Sequence, residues 1–218
     1  MIEELDPLEL SRQLKKPEGE TGRDVAKMLN ETNQNLYDLA LSMLDLSPGD
    51  ELLEIGFGNG MHFSRYFDIQ SELSVTGLDF SSSMCKEAEV NNVGLIKEGK
   101  LRIHCSDTVK IPLEDQSFDW IIGLNILYFW DPPGPHLEQL FRLLKPGGHL
   151  LFGYRPRNTV EHLPFTQENF TLYEPEELNL LISKYGFEKV CEEVNSYNKE
   201  APDRTMLQIT DICLLAKK

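Results

Sequence analysis

Glu51-Leu52-Leu53-Glu54-Ile55-Gly56-Phe57-Gly58-Asn59-Gly60 is an apolar run that breaks into three glycines at alternate positions. Leu52, Leu53 and Ile55 read as a short strand buried on both faces, the habit of a parallel sheet. Glycine lets the chain take positive φ in a tight turn and leaves no Cβ between backbone and ligand. The helix predicted next would open with unpaired N–H groups, where a polar or anionic ligand group can dock. By itself the stretch stays open to a dinucleotide-binding loop and to an ordinary tight turn between strand and helix.

Two features bear on that choice. A dinucleotide loop has the spacing G-x-G-x-x-G, whereas here Met61 stands where the last glycine would fall. The next apolar run, Val75-Thr76-Gly77-Leu78, ends in Asp79, and a carboxylate there can accept both hydroxyls of a ribose. Glu54-x-Gly56-x-Gly58-x-Gly60 followed by Gly77-Leu78-Asp79-Phe80-Ser81 resembles the class I S-adenosylmethionine-dependent methyltransferases, of the type 11, small-molecule kind.

Length and charge bound the alternatives. A chain of 218 residues suffices for one sizeable core, with one domain as the default. No apolar run approaches the roughly 18 residues of a membrane span. The start, Met1-Ile2-Glu3-Glu4-Leu5-Asp6, is acidic where a leader would be basic, so a cytoplasmic address is expected by elimination. A net charge of −15, with no Lys/Arg cluster longer than a pair, argues against nucleic acid as substrate. None of Cys85, Cys105, Cys191 and Cys213 lies in a C-x-x-C pair, so no metal is expected; three of them sit in apolar stretches and read as reduced core thiols. His104 and Cys105 are neighbours on a strand and point to opposite faces, which separates thiol from base.

Taken in order, residues 1–20 read as a partly ordered polar arm. One amphipathic helix of about six turns is predicted from Thr21, its cap, to Leu44, stopped by Ser47-Pro48-Gly49-Asp50. Its polar Asn30, Asn33 and Tyr37 read as solvent-facing. A short helix over 60–67 follows the glycine turn, with His62 read as a surface residue. Strands are predicted at Ser74–Leu78, Leu101–Cys105, Phe118–Asn125 and His149–Tyr154. Ser81 caps a helix from Ser82, and another helix runs from about His136 to Leu144, ended by Lys145-Pro146-Gly147-Gly148. Glu174–Tyr185 reads as a helix with Pro175 in its first turn. Phe187–Ser196 and Thr205–Ala216 then form two strands joined without a helix, which makes them antiparallel. The whole is an α/β, doubly wound, seven-stranded Rossmann-like sheet, mostly parallel with an antiparallel C-terminal strand pair. Residues 1–46 are expected to form an N-terminal arm and helix covering the site, and residues 47–218 the methyltransferase domain.

The resemblance, which runs from about residue 50 to the C-terminus, implies S-adenosyl-L-methionine as cofactor and S-adenosyl-L-homocysteine as product. It places Gly56, Phe57, Gly58 and Gly60 against the amino-acid end of the cofactor, with Glu54 reaching its ammonium directly or through water. Asp79 would take the ribose hydroxyls, Phe80 would pack along the adenine, and Asp107 and Thr108 would read the adenine edge. Asn125 would lie beside the methionine portion. Without the resemblance, Asp107 reads equally as a turn aspartate. In-line methyl transfer rests on proximity and needs a base only for a protonated acceptor, so no catalytic residue is assigned.

Acceptor candidates above the fourth and fifth strands are Tyr128, Trp130, His136, Tyr154 and Arg155. The connection Arg155–Tyr173, about 19 residues and rich in Pro and Phe, is long enough to read as a pocket wall. Asn125-Ile126-Leu127-Tyr128 stands where amide and adenine methylators carry a proline-proline-tryptophan-type motif, which favours a small-molecule acceptor. A non-catalytic module binding the same cofactor and a nicotinamide-dependent oxidoreductase are the alternatives. The sequence leaves oligomeric state open.

Overall fold

The computed structural model describes residues 5–200, 204 and 206–218. Its strands are β1 (Glu51–Ile55), β2 (Ser74–Asp79), β3 (Leu101–Cys105), β4 (Phe118–Leu124), β5 (Leu144–Tyr154), β6 (Glu188–Glu200) and β7 (Met206–Lys217). They form one sheet in the order β3-β2-β1-β4-β5-β7-β6. The first five pair in parallel, and β7 runs antiparallel between β5 and β6. Helical segments between the first five strands supply the crossovers that parallel pairing needs, whereas β6 and β7 pair antiparallel from Glu200↔Met206 onward. This is the doubly wound, mostly parallel sheet with an antiparallel C-terminal pair that the sequence predicts.

The helices are α1 (Pro7–Lys15), α2 (Gly19–Thr32), α3 (Gln34–Ser42), α4 (Phe63–Ile69), α5 (Ser82–Asn91), α6 (Val93–Lys97), α7 (Gly134–Leu143), α8 (Arg157–Val160) and α9 (Pro175–Ser183). Alternation along the strands loads both faces of the sheet. Leu53, Ile55, Ile121 and Phe152 pack under α7 and α9, while Leu52, Trp120, Ile122 and Leu124 pack under α3, α4 and α5. Each such side chain contributes roughly 1.5–3 kcal/mol on full burial, so the two apolar layers hold the domain.

Several local expectations are corrected. The arm contains a helix, α1, because Asp6 caps it by accepting from Glu9 N–H at 2.9 Å and Pro7 opens its first turn. The single long helix is two. It breaks at Asn33 (φ −102°, ψ 4°), and α2 starts at Gly19 behind Glu18 rather than at a Thr21 cap. The break lets Leu36, Tyr37 and Ala40 of α3 pack on the sheet while α2 lies elsewhere. Cys85 and Cys213 are buried, but Cys191 is half-buried and Cys105 is exposed at the end of β3. The connection after β5 is not structureless: it holds α8 and a 3-10 turn at Pro164–Gln167.

The strand order reverses beside β1, which has β2 on one side and β4 on the other. Crossovers leave to opposite sides of the sheet there and open a crevice at the carboxyl ends of the strands.

Candidate functional site

The turn after β1 builds the floor of that crevice. Gly56, Gly58 and Gly60 have φ of 70°, 60° and 68°, a region that side chains adopt at a cost. A Cβ on Gly56 would fall 2.3 Å from Ile126 Cγ2, whereas one on Gly58 would meet nothing within 4 Å. Gly58 thus borders open space that its missing side chain leaves free. Gly60 faces away: its Cβ would strike Ala88 and Phe63, so its role is close packing against α4 and α5 rather than the cleft.

Asp79, at the end of β2, is fixed by this turn. Gly58 N–H donates to Oδ2 at 3.1 Å and Ser81 N–H to Oδ1 at 2.8 Å. Burial raises its carboxyl to about 6, against the pull of those backbone donors. Each oxygen keeps capacity for one more donor.

Glu54 lies behind the cleft wall, 2% exposed, with Tyr37 hydroxyl donating to Oε1 at 2.9 Å. Desolvation lifts its carboxyl to about 7, opposed by the Tyr37 and Tyr66 hydroxyls. His62 is not the surface residue the sequence suggests. It is stacked on Tyr37 (centroids 3.7 Å, planes 18° apart), a tertiary contact that no local pattern announces. Burial, with Arg65 nearby, lowers it to about 4 and keeps it neutral. His62 Nε2 and Asn33 Oδ1 are buried without hydrogen-bond partners, and both residues line the cleft. Buried polar atoms ordinarily find partners, so these two stand out among the residues that line the cleft.

The cleft encloses about 720 Å³. Its β1–β3 side is lined by Gly56, Phe57, Gly58, Asp79, Phe80, Asp107 and Thr108. Phe80 is 41% exposed, an apolar ring laid open beside Asp79. Asp107 is exposed and accepts from Val109 N–H at 2.9 Å, so it does cap a turn as well as border the cleft. On the β4–β5 side stand Asn125, Tyr128, Trp130, His136 and Arg155. Tyr128 hydroxyl accepts from Arg155 N–H at 2.5 Å and lies 3.2 Å from both Asn125 Oδ1 and the Arg155 carbonyl oxygen. Trp130 stacks flat on His136 at 4.6 Å, and burial lowers the His136 pKa. Arg155 donates through Nε to the fully buried Asp211 at 2.9 Å and through Nη2 to the Thr32 carbonyl at 2.8 Å. That ties the end of β5 to α2 and β7.

Tyr154 is a correction. It shares the face of Phe152 on β5 and is wholly buried in the core, away from the cleft lining. Strand parity carries that signal, since residues two apart share a face. The sequence reading missed Leu10, Leu14, Met28, Leu29, Leu207 and Ile209, which also line the cleft. The i, i+4 spacing of Leu10 and Leu14 was the available sign.

A family model described as a methyltransferase domain matches residues 53–152, from β1 into β5. Over that stretch the chain is similar to methyltransferase domains. The uncharacterized methyltransferase YdaC of Bacillus subtilis is 28% identical over 125 residues, 57% of this chain and 67% of that protein. The 27-O-demethylrifamycin SV methyltransferase of Amycolatopsis mediterranei is 30% identical over 130 residues, 60% of this chain and 47% of that protein. Most curated relatives are thus matched over about half their length or less. Among solved structures, an S-adenosylmethionine-dependent methyltransferase of Methanosarcina mazei superposes with a TM-score of 0.60 at 24% identity, over 79% of this chain and 94% of that one. That likeness concerns the fold. No helix among the described residues is long and apolar enough to cross a membrane.

Proposed function

We propose that the protein transfers a methyl group from S-adenosyl-L-methionine to a small-molecule acceptor. The observation that carries this is Asp79: a buried carboxylate at the end of β2, fixed by Gly58 N–H and Ser81 N–H, with lone pairs left for two ribose hydroxyls. The cofactor would supply a methyl already activated on a sulfonium. The chain's residues would then bind, orient and keep out water.

In this reading Phe80 packs along the adenine and Asp107 and Thr108 meet its edge. The open space beside Gly58 admits the amino-acid end. Glu54, from behind Tyr37, supplies the negative charge that favours the ammonium, and the unpartnered Asn33 Oδ1 and His62 Nε2 border the same region. Asn125 and Tyr128 stand between cofactor and acceptor. No general base is assigned. His136, stacked on Trp130 and with its pKa lowered by burial, is a wall residue of the acceptor side together with Arg155. The N-terminal helices, which contribute Leu10, Leu14 and Met28 to the lining, form the cover over the site. The strong negative charge argues against nucleic acid as acceptor, and four free thiols suit a cytoplasmic setting.

Calorimetric titration with S-adenosylmethionine and with NAD, followed by transfer of a radiolabelled methyl into a cell extract, tests this. Tight binding of the first alone, with label appearing in a small-molecule fraction, is the expected result. Preference for NAD would overturn the cofactor, and binding without any transfer would leave a non-catalytic module.

A further inference from the structure

We infer that the acceptor is an uncharged molecule with an apolar body, a reading that rests on the cofactor site proposed above. Beyond that half of the cleft, the walls change character. Leu14 and Leu29 from the N-terminal helices face a chamber bounded also by Phe129, Leu163, Phe165 and Ile209. Phe170 joins Phe129 and Phe165 into an aromatic wall, with centroids 4.8 and 5.9 Å apart. The roof is fastened: Ser11 hydroxyl donates to the Glu168 carbonyl at 2.6 Å and accepts from Asn169 Nδ2 at 3.3 Å, joining α1 to the segment after α8.

The charges around this chamber do not suit an ionic guest. Arg155 has Nε committed to Asp211 and Nη2 to Thr32. Lys15 and Lys199 come from separate elements, one at the end of α1 and the other near the tip of the hairpin, and Lys199 is exposed. A phosphate or carboxylate calls for convergent donors, and these three cations do not supply them. For a cationic guest, the lining carboxylates outside the cofactor half are Asp131 and Glu200, both exposed to water. An ion placed among these side chains would lose its hydration without a partner, at a cost of several kcal/mol. An uncharged apolar body gains instead, at about 25 cal/mol for each Å² it buries. The cleft volume lies in the upper half of the roughly 300–1,000 Å³ typical of small-molecule sites, which suits a second molecule beside the cofactor.

The test uses the full chain loaded with S-adenosylhomocysteine and the uncharged fluorescent probe N-phenyl-1-naphthylamine. Saturable binding of one probe per chain is expected, with no displacement by phosphoethanolamine, a small charged compound. Phe165→Glu and Leu29→Glu, on two different elements, should each weaken the probe about tenfold or more, since each buries a charge worth at least ~1.4 kcal/mol. Affinity for S-adenosylhomocysteine should stay within about threefold of the unmodified chain in both. Absence of probe binding, equal binding by both variants, or methylation of phosphoethanolamine in place of uncharged acceptors overturns the inference. If S-adenosylhomocysteine itself fails to bind, the cofactor reading falls first and this inference with it. Binding of S-adenosylhomocysteine without uptake of the probe sinks this inference alone.

Discussion

Replacing Asp79 by alanine removes the carboxylate that the glycine turn and the start of α5 hold in place. In the free protein, Gly58 N–H and Ser81 N–H lose their acceptor. Gly58 borders the cleft, where water can replace the lost oxygen, whereas Ser81 is fully buried and its N–H is left without that acceptor. A carboxylate that burial has raised to about 6 also disappears, which offsets part of that loss. The fold should therefore survive with a modest change in melting temperature. Binding should not survive as well. Two ribose hydroxyls donating to a charged acceptor are together worth on the order of 1.5–3 kcal/mol, or about ten- to a hundredfold in affinity. Asp79→Asn is the sharper comparison: one amide oxygen still accepts, but in either orientation the NH2 group meets the Gly58 or the Ser81 backbone N–H, donor against donor, and the negative charge is gone. Its affinity should fall nearly as far as that of the alanine variant. The assay is calorimetric titration of S-adenosylhomocysteine at pH 8, where Asp79 is ionised, with a thermal melt of each variant as the fold control. Undiminished affinity in a folded Asp79→Ala protein would refute the assignment of this carboxylate to the ribose.

Other expectations follow from the buried charges and from the cover. Glu54 and Asp79 are raised to about 7 and 6, so the folded free protein keeps protons that the unfolded chain has lost. Their contribution to stability is complete below about pH 4 and declines as pH rises to about 7, at up to about 1.4 kcal/mol per unit per group. Melting temperature against pH checks that direction. Cofactor binding favours both ionised forms, so titrations near pH 6.5 in two buffers of different ionisation enthalpy should report proton release; uptake would contradict the placement of Glu54. Arg155→Met strands the fully buried Asp211, to which Tyr197 hydroxyl still donates, and should cost about 3–5 kcal/mol, several degrees or more in melting temperature. Adding Asp211→Asn should restore part of it, and a strictly additive double variant would deny the coupling. Deleting residues 1–16, which removes α1 from the roof, should speed release of S-adenosylhomocysteine in stopped flow more than it lowers melting temperature; equal release rates would deny α1 a gating role.

The sheet was legible because parallel strands buried on both faces leave short apolar runs, with Gly56 after β1, Asp79 closing β2 and Asn125 after β4. Asp79, Asp107 and Asn125 stand at strand ends, and chain position alone brings them to one edge. The helix break at Asn33 was not legible, since apolar periodicity continues through it: α2 spends its apolar residues on the cleft and α3 on the sheet. His62 was misjudged because the ring that covers it comes from Tyr37, 25 positions earlier. Tyr154 was a different kind of miss, as its parity with Phe152 already put it in the core. The apolar chamber is assembled from α1, α2, the segment after β5 and the hairpin, and no single stretch of sequence contains it.

A crystal structure with S-adenosylhomocysteine bound tests the central claim most directly. The account predicts both ribose hydroxyls within hydrogen-bond distance of Asp79, the adenine beside Phe80, and the sulfur directed toward the chamber between Tyr128 and Phe165. A ligand whose ribose lies on another carboxylate, or whose sulfur faces away from Tyr128 and Phe165, would contradict it.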